Sequence, residues 1–388
     1  MLQTLNQLSR NHKLVLYLSM AVGITARLIS ARIGSNYDFG SYLVVVEAKA
    51  EGLSPWETNR YNYGPVWALL LYLFEWSSSI LGRGFRLQIV ILLTLADLCI
   101  AGYLLRIKGA LIAAAFFLNP VSVIITGFHN QFDNLAIALV SIGCALSGDR
   151  TRGSIVTKDI VFMSLLGLSL TTKHIFLFFV VWTAIRQEER RRAIFFALGP
   201  ILIFVASFVP FLGSSRDAIW SNVVAYRGFQ NAPMWTLVGL EQGLGPLSVT
   251  VLFTIGLMAG GFLMRGRSLS ESLLIYTVLV VTFSPAIANQ YLVIPMVGIF
   301  GLWSVAYSPY IIYATYWLLI DLDGLNLDDS ATGHFGASLN VGPVRSLALE
   351  YGHQVSVAVL GIGLLYTLWR DIRVHLLHDR RGAKNKKQ

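Results

Sequence analysis

The first feature of this sequence that can do chemistry is a polar stretch between two very apolar runs. It reads GFHNQFDN (residues 127–134) and combines an imidazole (His129), an amide (Gln131) and a carboxylate (Asp133). Ionisable side chains next to lipid are costly and are usually functional. Our interpretation is that these three side chains orient a substrate. The alternative is that His129 and Asp133 only cap and pin the turn.

A second carboxylate, Asp38, follows the first apolar run within a few residues, in GSNYDFGSY. At a lipid–water boundary, burial raises the proton affinity of a carboxylate into a range useful for a general base. The functional interpretation of Asp38 is therefore a base that deprotonates a substrate. The alternative is a helix cap or a solvated acid.

Other short segments offer cations and hydrogen-bonding groups. TTKH contains Lys173 and His174, and ANQY contains Gln290 and Tyr291. Lys173 is either an anion ligand or an interfacial residue whose stem lies along apolar surface. Gln290 and Tyr291 either line a pocket or belong to a segment that caps the next helix. Further cations that could bind an anion are Arg227, Arg60 and Arg86.

The composition indicates which elements must position these residues. The chain has 388 residues, of which 55% are hydrophobic and 13% charged, and its mean hydropathy is +0.62. Such a chain is too apolar for a soluble domain of this length and is expected to be an all-α polytopic membrane protein. The apolar runs lie near residues 14–33, 65–81, 87–105, 110–127, 131–147, 155–171, 174–186, 193–211, 246–264, 271–287, 291–307, 308–320 and 352–370.

The net charge of +9 comes from short basic clusters between these runs. That pattern is typical of cytoplasmic loops and argues against a nucleic-acid partner. If every run crossed the membrane, successive clusters would alternate sides. The run 65–81 is therefore predicted to lie on the outer surface, because it begins with Pro65 and carries Glu75 and three serines. We expect about 11–12 transmembrane helices and two surface helices in the first outer loop.

This topology gives a single integral membrane domain over residues 1–388. The first run stays as an anchor, and the basic tail 371–388 is cytoplasmic. The unusual polar residues then face one compartment, outside the cytoplasm. The segments on that side are 34–86, the GFHNQFDN turn, 171–174, 212–245, 288–291 and 321–351.

The order of these motifs resembles the GT-C superfamily of integral membrane glycosyltransferases. The likeness is carried by the acid after the first helix, the turn YNYGP, the segment FFLNPVSVIITGFHNQFDNLAIAL and the segments TTKHIFLFF and SPAIANQYLVIP. Within the superfamily the chain is most similar to the dolichyl-phosphate-glucose glucosyltransferases of N-glycan assembly and to the glycosylphosphatidylinositol mannosyltransferases.

The resemblance implies that Asp38 is the catalytic base in the transfer of glucose or mannose, with inversion, from a polyprenyl-phosphate sugar to a lipid-linked or glycan acceptor. Lys173, His174 and Arg227 are the expected ligands of the donor phosphate. The expected substrate-binding residues are Tyr63, His129, Gln131, Asp133, Gln290 and Tyr291.

No cofactor is expected, because Asp38 and Asp133 are isolated acids and a hard cation needs several oxygen ligands. A divalent metal is the less favoured alternative. The implied membrane is the plasma membrane in a prokaryote and the endoplasmic reticulum in a eukaryote. A different class of function stays open at this point, namely a polytopic transporter or lipid flippase without transferase activity, although such proteins more often contain inverted repeats.

Overall fold

The computed structural model describes residues 9–82, 84–226, 231–321 and 343–385. Every regular element within these ranges is a helix, which confirms the all-α prediction. In the same ranges, four helical segments are long and apolar enough to cross a membrane: Arg10–Ile33, Phe85–Lys108, Arg190–Val224 and Glu350–Arg370. The pair Ala110–Leu118 and Pro120–His129, bent by 49°, makes a fifth if it counts as one span. The prediction of a membrane protein is confirmed at this level.

The helices follow the apolar runs, and proline and glycine set several of their ends. Pro65 opens one helix, and Gly82, at φ 61°, ends it in the left-handed conformation. In chain order the helices are α1 (Arg10–Ile33), α2 (Tyr37–Ala50), α3 (Pro65–Leu81), α4 (Phe85–Lys108), α5 (Ala110–Leu118), α6 (Pro120–Ile124), α7 (Asp133–Ser147), α8 (Thr157–Thr172), α9 (Leu177–Ile185), α10 (Arg190–Phe208), α11 (Leu212–Ile219), α12 (Pro233–Leu237), α13 (Glu241–Met264), α14 (Leu269–Thr282), α15 (Met296–Leu302), α16 (Ser308–Ile320) and α17 (Pro343–Asn385).

Basic loops meet at one end of the helix bundle. Arg106 donates to a carbonyl in the last turns of α7, at 2.5 Å. Arg152 pairs with Glu188, which joins the loop after α7 to the loop after α9. Arg192 pairs with the buried Asp159 at 2.9 Å, which joins the first turns of α10 and α8. The loops that the charge pattern assigns to one side of the membrane therefore lie together.

Both ends of α3 lie at the opposite end of the bundle. Gly64, just before α3, packs so tightly that a Cβ atom there would lie 2.0 Å from the carbonyl oxygen of Thr171. At the other end of α3, Ser77 donates to Gln88 in the first turn of α4, at 2.5 Å. The helix thus does not run along the bundle. This arrangement suits a surface helix, and α3 exposes an apolar stripe that consists of Leu69, Leu73, Trp76 and Ile80.

A fully buried ion pair lies where α1, α4 and α6 meet. Arg27 Nη2 is 2.7 Å from Asp97 Oδ2, and neither side chain is exposed. Asp97 also accepts hydrogen bonds from Ser122 (3.1 Å), Thr126 (2.8 Å) and Asn134 (2.5 Å). Arg27 donates in addition to backbone carbonyls of α1 and α5. The pair ties together helices that are far apart in the sequence.

Candidate active site

Asp38 lies in the first turn of α2, directly after the short loop that follows α1. The side-chain nitrogen of Asn36 donates to Asp38 Oδ2 at 3.1 Å and lies 2.7 Å from Nδ1 of His129. Because this amide nitrogen only donates, Nδ1 of His129 must accept, and the ring proton then sits on Nε2. One amide therefore links the predicted base to the GFHNQFDN turn.

The Asp38 carboxylate is half-buried. Burial raises its pKa above the ordinary value, because the charged form loses hydration. The positive charge of Lys173 and the hydrogen bond from Asn36 both oppose this shift, since they stabilise the charged form. Burial is the larger effect, so Asp38 is a stronger base than a solvent-exposed aspartate.

Asp38 opens into a cavity of about 210 Å³ between the first outer loop and two later segments. The segments around residues 222–226 and 286–291 close its other sides. The structure thereby brings together residues that are distant in the chain. Asp38 and Tyr291, for example, are 253 positions apart. The lining residues relevant to chemistry are Asp38, Arg60, Tyr63, Tyr226, Gln290 and Tyr291.

Two buried aromatic residues fix the position of Tyr63. Trp56 donates from its indole nitrogen to the Tyr63 carbonyl at 3.0 Å. Tyr61 donates to the Gly64 carbonyl at 2.6 Å and accepts from the first turns of α3. The Tyr63 ring packs edge-on against Phe132, with 4.7 Å between the ring centroids. The YNYGP turn therefore holds Tyr63 rigidly at the cavity wall.

Asn130 and Arg86 determine the shape of the turn 127–134. Asn130 adopts the left-handed conformation (φ 57°), which asparagine tolerates better than most residues. Its side chain donates to two carbonyls of the preceding turn, at 2.8 and 3.1 Å. Arg86 donates to Asn130 Oδ1 at 2.8 Å and to carbonyls of the same turn. These contacts assign Arg86 to structural support of the turn, and the roles of His129 and Asp133 stay predictions.

Lys173 lies behind the cavity wall and forms an ion pair. Its Nζ is 2.7 Å from Asp133 Oδ2, and the two side chains are 3% and 0% exposed. The same ammonium lies 5.1 Å from the ring centroid of Tyr291 and 5.3 Å from those of Tyr63 and Phe132. Asp133 and three aromatic rings thus balance its charge inside the protein. Lys173 acts on the cavity through its electric field.

Several buried polar atoms around this pair have no hydrogen-bond partner in the described part of the chain. They are Nε2 of His129, both amide atoms of Gln131 and Oδ1 of Asp133. Gln131 still lowers the pKa of Asp38, although its amide is not placed for a full hydrogen bond. Buried polar groups are normally satisfied. Their clustering next to Asp38 indicates a site where a ligand or water completes the hydrogen bonds.

The ANQY segment contributes to the cavity and does not cap a helix through a side chain. The helical turn Asn289–Val293 has no side-chain cap. Asn289 instead accepts a hydrogen bond from Trp317 at 2.7 Å and donates to Asp321. These bonds anchor the segment, so that Gln290 and Tyr291 line the cavity. Of the two interpretations, the structure agrees with the pocket.

The remaining predicted residues are placed differently. His174 is half-buried beside Lys173, and its Nδ1 lacks a partner within the described ranges, but it does not line the cavity. Arg227 and most of the acidic loop 321–351 lie outside the described residues. Arg60, a secondary candidate in the sequence, is the arginine that lines the cavity, where it stacks on Tyr37 at 4.5 Å.

Within the described ranges, no three His, Cys, Asp or Glu side chains gather as a metal site would require. The expectation of a metal-independent site stays a prediction.

Sequence reasoning missed Asn36, which links Asp38 to His129. The available signal was an amide two residues before the predicted base, in SNYD. That signal is weak, because asparagine is common in turns and before helices. It also missed Arg27 and Asp97, whose isolated charges in apolar runs were a stronger signal.

No family model, curated protein or solved structure matches this chain. The GT-C resemblance therefore rests on the sequence motifs alone, and the function that it implies stays a prediction.

Proposed function

We propose that this protein is an inverting hexosyltransferase that uses a polyprenyl-phosphate sugar as donor. One observation carries the proposal: a half-buried carboxylate, Asp38, opens into a small cavity whose other walls include an arginine, tyrosines and side-chain amides. These groups are the ones that transfer from a sugar phosphate needs. They are one base, one cation near the leaving phosphate, and groups that position a sugar ring.

In the proposed reaction, Asp38 removes the proton from an acceptor hydroxyl while that oxygen attacks the anomeric carbon of the donor. The bond between this carbon and the phosphate oxygen breaks, and the phosphate leaves on its lipid. The raised pKa of Asp38 suits this role, because a stronger base takes up the proton more readily.

Among the described arginines, Arg60 is the best-placed candidate for contact with the leaving phosphate, because it lines the cavity. Lys173 is paired with Asp133 and lies behind the wall, so its contribution is a positive charge that lowers the pKa of Asp38 and opposes the effect of burial. His174 and Arg227 remain candidate phosphate ligands on the strength of the sequence motifs alone.

The cavity volume supports a single sugar residue as the transferred group. About 210 Å³ is smaller than the ~300–1,000 Å³ that is common for ligand clefts. Tyr63 and Tyr291 offer ring faces for the sugar, and Gln290 offers hydrogen bonds. His129, Gln131 and Asp133, with their unsatisfied atoms, are proposed to complete the donor site from below. The motif resemblance narrows the sugar to glucose or mannose.

The proposed setting is a membrane, with the cavity on the extracytoplasmic face. Seven shorter apolar helices accompany the longer spans among the described residues. If all seven cross the membrane together with the five longer spans, the protein has 12 spans, or 11 if α3 lies on the surface. Both numbers agree with the expected 11–12. The acceptor, lipid-linked or glycan, would approach from that side.

The test is transferase activity of the purified protein with polyprenyl-phosphate hexoses and candidate acceptors. Asp38→Asn should lower the rate by about 10²–10⁴-fold, which is the usual contribution of general base catalysis. Asp217→Asn is the matched control, since Asp217 is an exposed acid that does not line the cavity. Equal rates for both variants would refute the role of Asp38. No product from any donor would refute the transferase and would favour the transporter or flippase, which vesicle transport assays can then test.

A further inference from the structure

A second and larger cavity lies at the opposite end of the bundle, where the basic loops meet. Its volume is about 570 Å³. Three segments form it: the loop after α7, the end of α9 with the following loop, and the turn between α13 and α14. Three arginines line it, namely Arg186, Arg265 and Arg267. None of these residues takes part in the proposed transferase site.

Arg186 is the unusual member of this group. Its side chain is only 6% exposed, yet its Nε is buried and has no hydrogen-bond partner among the described residues. Its one ion pair, with Asp149 Oδ1, is long at 3.3 Å. Leaving a buried donor of a charged group unsatisfied is costly. Because Arg186 lines the cavity and its ion pair with Asp149 is long, an anion bound in the cavity would lie close to this guanidinium.

The acids on the cavity wall already have partners. Glu188 accepts from Thr151 at 2.9 Å and pairs with Arg152. Asp149 accepts from the backbone N–H of Leu269 at 2.6 Å, in addition to its contact with Arg186. The two carboxylates are therefore partly neutralised by groups around the rim.

The remaining arginines increase the positive potential. Arg265 is exposed and has no ion pair with an acid in the described ranges. Arg267 is half-buried on the same wall. The pair of Arg186 with Asp149 and the pair of Arg152 with Glu188 leave Arg265 as additional positive charge on the wall, so the cavity as a whole favours an anion.

We propose that this cavity binds a phosphate group. Guanidinium groups bind phosphate through paired hydrogen bonds of matched geometry, and a chloride ion cannot accept hydrogen bonds in this paired arrangement. The phosphate belongs either to the headgroup of an anionic lipid or to a soluble phosphate compound. The position at the basic end of the bundle suits a lipid headgroup, because anionic lipids collect at the leaflet that basic loops face. The positive charge of the same end also suits a soluble phosphate compound.

The test uses the full-length protein, purified in detergent and freed of lipid. One arm measures the shift in thermal unfolding with inorganic phosphate, against chloride of equal ionic strength. The other arm measures adducts of short-chain phosphatidylglycerol by native mass spectrometry, with phosphatidylcholine as the reference. The variants are Arg186→Gln and Arg265→Gln. Arg191→Gln is the matched control, because Arg191 is an exposed arginine at the same end that does not line the cavity.

We expect at least one phosphate probe to bind the wild-type protein. Arg186→Gln and Arg265→Gln should weaken its affinity by about tenfold or more, and Arg191→Gln should leave it nearly unchanged. Because Arg265 is exposed, its variant folds even if Arg186→Gln does not. Dependence on both arginines in the lipid arm alone would assign a lipid headgroup, and dependence in the phosphate arm would assign a soluble ligand. No binding of either probe, or equal binding by Arg265→Gln and Arg191→Gln, would overturn the proposal.

Discussion

The buried ion pairs Arg27–Asp97 and Lys173–Asp133 differ in how completely their neighbours satisfy them. Around Arg27 and Asp97, three side chains donate to the carboxylate and backbone carbonyls accept from the guanidinium. Around Lys173 and Asp133, one carboxylate oxygen lacks a partner within the described chain, and so do polar atoms of neighbouring His129 and Gln131.

This difference separates a structural network from a binding site. A fully satisfied buried network holds helices in one arrangement, whereas a partly satisfied one is unfavourable until something completes it. The incomplete network lies beside Asp38 and its cavity, whereas the complete one joins helices α1, α4, α5, α6 and α7. Charge and burial alone do not distinguish the two pairs, since all four side chains are almost inaccessible.

The largest expected effect comes from breaking the complete network. Arg27→Met should destabilise the protein by ~3–5 kcal/mol, because it leaves Asp97 buried without its cation. Unfolding by heat or denaturant in detergent measures this. The double variant Arg27→Met with Asp97→Leu should recover most of the loss. A cost below ~1 kcal/mol, typical of an exposed pair, would show that water reaches the network.

Two buried amides provide a matched test of the comparison. Asn134 donates to Asp97, whereas Gln131 has no partner in the described residues, and each is 1% exposed. Asn134→Leu should cost ~1–3 kcal/mol of stability, because it removes a donor to a buried charge. Gln131→Leu should leave stability unchanged or higher, since it removes an unsatisfied group. Equal losses of stability in Asn134→Leu and Gln131→Leu would contradict the difference between the satisfied and the unsatisfied network.

Asn36→Ala should lower the rate of the proposed transfer by about tenfold, the equivalent of one hydrogen bond of ~1.4 kcal/mol. The variant loses the amide that holds Asp38 and His129 in place. The unfolding temperature should change little, because Asn36 is only half-buried. Ser35→Ala, at the exposed neighbouring residue, serves as the control and should keep its rate. A normal rate in Asn36→Ala would remove Asn36 from the site.

Lys173→Met should shift the acid limb of the pH–rate profile to higher pH. The base Asp38 must be ionised, so the rate rises with pH through the pKa of Asp38. Lys173 lowers this pKa, and Asp133 raises it more weakly. The loss of the Lys173 charge therefore raises the pKa of Asp38. Lys158→Met, at an exposed lysine of the opposite end, should not move the limb. An unchanged limb would show that Lys173 does not act on Asp38, and a shift to lower pH would contradict the direction of its effect.

The sequence predicted the helices well, because hydropathy, proline and glycine act locally. The run 65–81 became α3 with the same bounds, since Pro65 begins it and Gly82 ends it. The break before Pro120 was not predicted, and the run 110–127 is bent there by 49°. Proline lacks the backbone donor that a continuous helix needs, so the sequence carried this signal.

The candidate site was predicted in part. Asp38, Tyr63, Gln290 and Tyr291 line one cavity, as the grouping of outer segments led us to expect. The resemblance of its segment implied that Lys173 binds the donor phosphate directly. The structure pairs Lys173 with Asp133, and its contact with a phosphate stays a prediction. The sequence does not reveal such a pairing, because it depends on which faces of α7 and α8 meet.

By itself, the sequence indicated a membrane protein, the position of most of its helices, and which loops share an end of the bundle. Those properties follow from hydropathy and charge, which each segment carries independently of the others. Only the tertiary structure decided that Asn36 links Asp38 to His129, that Arg86 supports a turn, and that Arg186 faces a second cavity. These are relations between segments distant in the chain, and packing selects them from many arrangements with the same hydropathy.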